Sequence, residues 1–238
     1  MTLSGQTVAV LGGTAGIGLE TARLARAEGA DVIVAARNAD RLSEVARELD
    51  AQAVPFDVTD FDRLQRFFDE LPGPIDHLLL TGPGPYYAPL ADFDPAEARN
   101  DVESHLLLPI MIAKHARGRV RGSLLFMGGT GGRRTAPGLS LIGALTAAMP
   151  ALTMNLALEA APLRVNLIAA GFVDTPLSAR LLGDDLERRR QQLRDTLPIG
   201  RVVGPVDVAA LAVHLMTNTA LTGATYDIDG GQQFVPKG

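Results

Sequence analysis

A short apolar run that leads into a cluster of glycines constrains the fold of this chain more than any other stretch. The run at 8–11 is typical of a strand buried on both faces of a sheet. Glycines follow at positions 12, 13, 16 and 18, and from Ile17 onward the apolar residues take helical spacing. Strand, glycine loop and helix in this order indicate a cradle for phosphate, because glycine lets the backbone approach a pyrophosphate and the helix N-terminus offers unpaired N–H groups. The local alternative is a simple tight turn.

Composition narrows the classes of protein that this chain can belong to. Its 238 residues suffice for one large α/β domain. A net charge of −5 argues against nucleic-acid binding and against a polybasic contact of this protein with a membrane. The absence of cysteine excludes disulfides and is consistent with a cytoplasmic protein. We expect no signal peptide, because the N-terminus runs directly into the first strand. We expect no membrane span, because polar residues interrupt the apolar stretches. We expect no metal site, because the four histidines lack metal-ligand spacing.

Apolar strand patterns alternate with helical patterns along the whole chain. The alternation predicts one α/β domain over residues 1–238, a doubly wound parallel sheet of Rossmann type with helices on both faces. The predicted strands after the first lie at 31–36, 53–56, 75–80, 123–127 and 162–168, with a last one inside 221–231.

The glycine spacing G-x-x-x-G-x-G resembles the loop T-G-x-x-x-G-x-G of the short-chain dehydrogenase/reductase family, with Leu11 in place of the threonine. Further similarities run from about residue 5 to 235: the Asp-Val pair at 57–58, the Arg-Val-Asn strand at 164–166 and the Asp-Gly-Gly end at 229–231. The resemblance implies an oxidoreductase scaffold with a dinucleotide cleft. The residues that it assigns to this cleft are Gly12, Thr14, Ala15, Gly16, Ile17, Gly18, Arg37, Asp57, Val58, Gly82, Gly171 and Val173.

The end of the second strand bears on the choice of nucleotide. An acidic residue there would bind the ribose hydroxyls of NAD, but the chain has Ala36 followed by Arg37. An arginine at this place can hold a 2′-phosphate, so we predict NADP in preference to NAD. The alternative is a solvated arginine at a strand end.

The resemblance also implies which positions carry the catalytic residues, and at those positions this chain differs from the family. The family uses an Asn, a Ser and a Tyr-x-x-x-Lys pair, in which the tyrosine is the acid and the lysine lowers its pKa. The corresponding positions are His105, Gly129, Ile142 and Thr146. No tyrosine lies between Tyr87 and Tyr226, so a small shift of register cannot restore the acid.

Three hypotheses follow: a binding module or regulator, a silent subunit of an oligomer, or an oxidoreductase with another acid. Candidates for that acid are His105, Tyr86 and Tyr87, although a hydrogen-bonded core histidine is the plainer interpretation of His105. The predicted substrate pocket comprises Tyr86, Tyr87, His105, Thr130 and Ile142.

Two apolar helices, predicted at 96–115 and 139–159, predict self-association. They carry more apolar surface than one sheet face can cover, and relatives pair through them as dimers or tetramers. Pro109 and Pro150 are expected to bend these helices. Residues 177–197 are charged and helical, at the place of the family's substrate lid.

Overall fold

The computed structural model describes residues 2–235 and contains the predicted doubly wound sheet. Seven parallel strands lie in the order β3-β2-β1-β4-β5-β6-β7. Successive strands are added on one side of β1 up to β3 and on its other side from β4 onward, so the strand order reverses between β1 and β4. Such a reversal leaves a crevice at the carboxyl ends of the two central strands. The strands are β1 (Thr7–Leu11), β2 (Asp31–Ala36), β3 (Gln52–Pro55), β4 (Ile75–Leu80), β5 (Val120–Gly129), β6 (Arg164–Ala170) and β7 (Thr225–Ile228).

Helices cover both faces of the sheet, as predicted. Two separate buried clusters result: α1, α2 and α9 cover one side and α3, α5 and α6 the other. The helices are α1 (Gly16–Ala27), α2 (Ala39–Leu49), α3 (Phe61–Asp69), α4 (Pro95–Val102), α5 (Leu108–Ala116), α6 (Ser140–Glu159), α7 (Pro176–Leu182), α8 (Leu186–Thr196) and α9 (Pro205–Thr217).

The bounds of two neighbouring strands differ from the prediction, and both strands continue further at their carboxyl ends. β5 continues to Gly129, and β6 begins at Arg164 and continues to Ala170. Gly129 pairs with Ala170 in the register of these two strands. Glycine and alanine weaken the apolar signal, but their backbone still takes part in the ladder, so the strands extend beyond their apolar runs.

The helix predicted over 96–115 is wrong as a single element. It consists of α4 and α5 joined by a π-helical turn over Glu103–Leu107. Pro109 has no N–H to donate to the carbonyl four residues earlier, which accounts for an irregular ladder immediately before it. At the place where the bend was expected, the structure has a wider helical turn just N-terminal to Pro109.

The other apolar helix, α6, is continuous through Pro150. The expectation that no stretch reaches the length of a membrane span is wrong for α6, which has 20 residues with a mean hydropathy of 1.6 and meets the criterion by length and composition alone. The core helix of a globular domain meets the same criterion, and α6 buries Ile142, Leu145 and Met149 in this fold.

The charged segment predicted at 177–197 forms two helices rather than one. α7 begins with a capping box of Thr175 and Ser178, and a short turn over Gly183–Asp185 leads into α8. The glycine at the C-terminal end of α7 has a positive φ of 51°, which ends the helix and redirects the chain.

Candidate nucleotide-binding site

A cleft of about 820 Å³ opens at the carboxyl ends of β1, β2 and β4. It lies where the strand order reverses, which is the place where open α/β sheets bind ligands. Its walls come from the glycine loop, the ends of β2 and β3, the loop after β4, α4 and α7. The residues that form these walls include Gly12, Thr14, Ala15, Gly16, Ile17, Gly18, Ala36, Arg37, Asn38, Asp57, Val58, Thr59, Thr81, Gly82, Tyr86, Glu97, Asn100, Asp101, Glu103, Ser104, Thr175, Leu177 and Arg180.

The glycine loop is packed so closely that side chains cannot replace its glycines. Gly12 has a φ of 91°, and a carbon added there would collide with Thr81 Oγ1. A carbon added at Gly18 would collide with the backbone oxygen of Gly12. The Thr81 hydroxyl lies 3.1 Å from the carbonyl oxygens of both Leu11 and Gly12, so the end of β4 holds the loop in place.

The first turn of α1 faces this cleft without a side-chain cap. Ala15 occupies the N-cap in extended conformation, and no described side chain accepts a hydrogen bond from this end of the helix. The first N–H groups of a helix need an external partner, and they favour an anion. The loop and the helix together fit the pyrophosphate of a dinucleotide.

The predicted adenosine end of the cleft brings Arg37 next to Asp57. Arg37 Nη1 lies 3.7 Å from Asp57 Oδ2, and the other carboxylate oxygen accepts hydrogen bonds from the Thr59 N–H and hydroxyl at 3.0 and 2.7 Å. Burial would raise the pKa of Asp57, but the hydrogen bonds from Thr59 and the charge of Arg37 lower it overall. A carboxylate acceptor and an arginine therefore lie together at this end.

Two predicted cofactor residues, Gly171 and Val173, lie outside the walls of this cleft. Gly171 follows β6 and packs under the C-terminal segment, where a carbon added to it would lie 2.6 Å from Gln232 Oε1. The Gly171 N–H donates to the carbonyl oxygen of Ile228 at 3.1 Å. The loop after β6 is thus held by β7 and the residues beyond it.

The positions to which the resemblance assigns the acid and its helper hold Ile142 and Thr146, and both side chains are buried. Ile142 is buried, and the Thr146 hydroxyl is 2.8 Å from the Ile142 carbonyl oxygen, a bond within α6. A carbon added at Gly129 would lie 3.5 Å from Thr146 Cγ2, so the serine and lysine positions face each other. The structure therefore brings the assigned serine and lysine positions next to each other.

The three candidates for another acid occupy different environments. Tyr86 lines the cleft, but its hydroxyl accepts the Asp94 N–H at 2.7 Å and so helps to begin α4. Tyr87 is exposed and lies outside the cleft walls. Thr130 and Ile142 of the predicted substrate pocket are buried, and they also lie outside those walls.

His105 lies in the π-helical turn and contacts the buried Asp101. Its Nδ1 is 3.0 Å from Asp101 Oδ1, which also accepts the Tyr86 N–H at 3.2 Å. Burial lowers the pKa of His105, but the hydrogen bond and charge of Asp101 outweigh it and raise the pKa overall. The second oxygen of Asp101 is buried without a described partner, and Asp101 itself lines the cleft whereas His105 does not.

The sequence interpretation missed a polar face that runs along α4 into the π-helical turn. Glu97, Asn100, Asp101 and Ser104 line the cleft at spacings of three and four residues. That spacing is visible in the sequence and places these residues on one helical face. Among residues 2–235 no group of three or more His, Cys, Asp or Glu side chains could hold a metal ion.

Comparison with known proteins agrees with this geometry. The family model described as "Enoyl-(Acyl carrier protein) reductase" matches residues 12–233. The chain is 32% identical to a cis-4-hydroxycyclohexanecarboxylate dehydrogenase of Sinomonas cyclohexanicum, over 93% of this chain and 94% of that one. It is 28% identical to a short-chain dehydrogenase/reductase of Stachybotrys chlorohalonatus, over 97% and 98%. A solved small-chain dehydrogenase in complex with NADPH is 28% identical, with a TM-score of 0.82 over 96% and 99% of the two chains. The chain therefore belongs to the short-chain dehydrogenase/reductase family.

Proposed function

We propose that this protein binds NADP(H) in the cleft and that the usual tyrosine-dependent carbonyl reduction has been lost. One contrast supports the proposal. The glycine cradle and the free N–H groups at the start of α1 are both present, whereas Ile142, Thr146 and Gly129 occupy the positions that the resemblance assigns to the tyrosine, the lysine and the serine. On this proposal the protein acts as a nucleotide-dependent regulator or as a silent subunit of an oxidoreductase assembly. Titration with NADPH and NADH, followed by a turnover screen on the same sample, tests both halves.

The preference for NADP(H) rests on Arg37. Its side chain is 75% exposed at the rim of the cleft, and its nearest described anion is Asp57 at 3.7 Å. A guanidinium with that much freedom can turn to a 2′-phosphate, with which it forms short charge-assisted hydrogen bonds. A similar solved structure contains NADPH, which supports the same choice.

Arg37→Asp is expected to raise the Kd for NADPH about tenfold or more, because it removes a charge-assisted contact and adds repulsion to the phosphate. The Kd for NADH should change by less than about threefold, since that nucleotide lacks the 2′-phosphate. Calorimetry on the full chain measures both values. Arg47→Asp at the far end of α2 is the matched charge control, and equal effects of the two variants would contradict the assignment.

A second candidate function, an active oxidoreductase with another acid, is favoured by the Asp101–His105 pair. The raised pKa of His105 keeps its imidazole protonated to higher pH, and a protonated imidazole can donate a proton. Turnover by the unmutated protein should then fall as the pH rises through that pKa. His105→Gln should remove the activity, and Asp101→Asn should shift the pH profile downward. His115→Gln serves as the control, and a flat profile in the wild type contradicts this candidate.

We also propose that two or more copies associate through α5 and α6. An exposed strip of α6 runs along Ala144, Ala147, Ala151 and Leu158 at spacings of three, four and seven residues. Leu107 and Ile110, in the π-helical turn and α5, are 43% and 40% exposed. An apolar strip of this length is typical of an interface between copies.

Light scattering at micromolar concentration is expected to find a dimer or tetramer. Ala151→Glu should shift the protein towards monomer, because a carboxylate at the centre of an apolar contact is desolvated without a partner. Val206→Glu places the same charge on an exposed site in the first turn of α9 and should leave the assembly intact. A monomeric wild type contradicts the proposal.

A further inference from the structure

Helix α8 carries four arginines, and one of them has no carboxylate partner among the residues that the structure describes. Arg188 pairs with Asp185, Arg190 with Asp174 and Glu187, and Arg194 with Glu187. Arg189 instead donates to the neutral Gln192 Oε1 at 2.7 Å, and no carboxylate within residues 2–235 lies in ion-pair distance of it.

Arg190 and Arg189 both contact the loop that follows β6. Arg190 Nε and Nη2 bond the two oxygens of Asp174 at 2.9 and 2.7 Å, which clamps α8 onto the loop that follows β6. The Arg189 guanidinium lies over the Phe172 ring, 6.0 Å from its centroid. Phe172 directly follows Gly171, so Arg189 is positioned beside the loop that the family resemblance assigns to the cofactor.

A second arginine approaches the same place from the loop after β5. Arg134 donates to the backbone oxygen of Gln232, whose side-chain Oε1 accepts the Phe172 N–H at 2.9 Å. Its neighbour Arg133 is paired in bidentate fashion with Asp227, but no described carboxylate lies in ion-pair distance of Arg134. Arg189 thus contacts the Phe172 ring, and Arg134 is linked to the Phe172 backbone through Gln232.

Among residues 2–235, neither Arg134 nor Arg189 has a carboxylate in ion-pair distance, although the arginines next to them in sequence do. Burial lowers the pKa of Arg189, and the positive charge of Arg134 lowers it further. Partly buried charges are normally paired, because desolvation costs free energy that a partner offsets. An anion between the two guanidinium groups would supply that partner, since each group forms a planar fork that matches the oxygens of a carboxylate or phosphate.

We propose that Arg134 and Arg189 bind an oxyanion, the carboxylate or phosphate group of a small-molecule ligand. The site goes beyond the nucleotide, because neither arginine lines the dinucleotide cleft. It adjoins the positions where the family carries out its chemistry: the loop that bears Arg134 begins after Gly129, and a carbon added at Gly131 would lie 3.5 Å from Thr146 Oγ1. The ligand or substrate of this chain is therefore an organic acid or a phosphate ester.

Calorimetric titration of the full chain with sodium benzoate and with sodium phosphate tests the site, against sodium chloride at matched ionic strength. We expect saturable binding of at least one of the two anions, and the stronger one identifies carboxylate or phosphate as the preferred group. Arg134→Gln and Arg189→Gln should each raise its Kd about tenfold, the loss of one charge-assisted contact. Arg188→Gln, an exposed neighbour on the same helix, should leave the Kd unchanged.

Binding of neither anion, or equal binding by the Arg134→Gln/Arg189→Gln double variant, would overturn the proposal. Circular dichroism and the thermal midpoint without anion establish that each variant is folded, and Arg189→Lys keeps the charge as a second check. NADPH titration of the same samples separates the two proposals. Nucleotide binding without anion binding overturns only the oxyanion site, and anion binding without nucleotide binding overturns only the proposed function.

Discussion

The combined substitutions Ile142→Tyr, Thr146→Lys and Gly129→Ser are expected to raise the rate of NADPH-dependent carbonyl reduction about 10²–10⁴-fold above the parent, the contribution of a positioned general acid. A tyrosine and a lysine four residues apart lie on one face of α6, where the ammonium can lower the pKa of the phenol. Gly129 has room for the serine, because its nearest neighbours would lie at 3.5 Å or more from an added carbon. NADPH oxidation with a panel of cyclic ketones and dicarbonyl compounds measures the gain.

The control for this experiment carries the same bulk without the acid: Ile142→Phe, Thr146→Met and Gly129→Ser. Ile142 is buried, so the control also reports any loss of stability from a larger side chain. A gain in the tyrosine variant alone supports a decayed dehydrogenase. Rapid turnover by the parent that persists in His105→Gln, Tyr86→Phe and Tyr87→Phe would contradict both the loss of chemistry and all three alternative acids.

Arg164→Ala is expected to lower the free energy of unfolding by about 3–5 kcal/mol, since it leaves buried carbonyls unsatisfied and opens a cavity. Arg164 is buried at the start of β6. Its Nη1 donates to the carbonyl oxygens of Leu215, Asn218 and Leu221 at 2.7, 3.1 and 3.2 Å, and its Nη2 to that of Met216 at 2.7 Å. It thereby satisfies the C-terminal end of α9 and the turn that leads towards β7.

Urea denaturation followed by circular dichroism measures this loss. Arg41→Ala removes an exposed arginine that pairs with Glu44 on α2, and it should change the free energy of unfolding by less than about 0.5 kcal/mol. Arg164→Lys should fall between the two variants, because an ammonium has fewer donors and cannot span the same set of carbonyls. A loss below about 1 kcal/mol in Arg164→Ala would show that water replaces the guanidinium at this end of the sheet.

The sequence was sufficient for the sheet and for the nucleotide cradle because both depend on local patterns. A buried strand, closely spaced glycines and a helix are adjacent in the chain, so their arrangement follows from short-range geometry. Arg37 follows from its place at the end of β2, and Asp57 from the family resemblance of the Asp-Val pair at 57–58. The structure places them 3.7 Å apart.

Other features either have no distinct local pattern or depend on contacts between distant segments. The π-helical turn before Pro109 has no sequence period of its own, so α4 and α5 were predicted as one helix. The polar face along α4 precedes a run of apolar residues that begins at Leu106. That run gives the stronger sequence signal and predicts a buried helix. Arg134 and Arg189 are separated by 55 positions in the sequence numbering and meet only through Phe172 and Gln232.

The packing of the glycine loop affects how this chain can change by mutation. The Thr81 hydroxyl and Gly18 both hold Gly12, so a substitution that damages the cradle also damages the joint between β1, β4 and α1. Gly129 has no such steric constraint, since a side chain added there would make only ordinary van der Waals contacts. Selection for a folded protein therefore also preserves the shape of the cradle, whereas position 129 can accept a side chain without that structural cost.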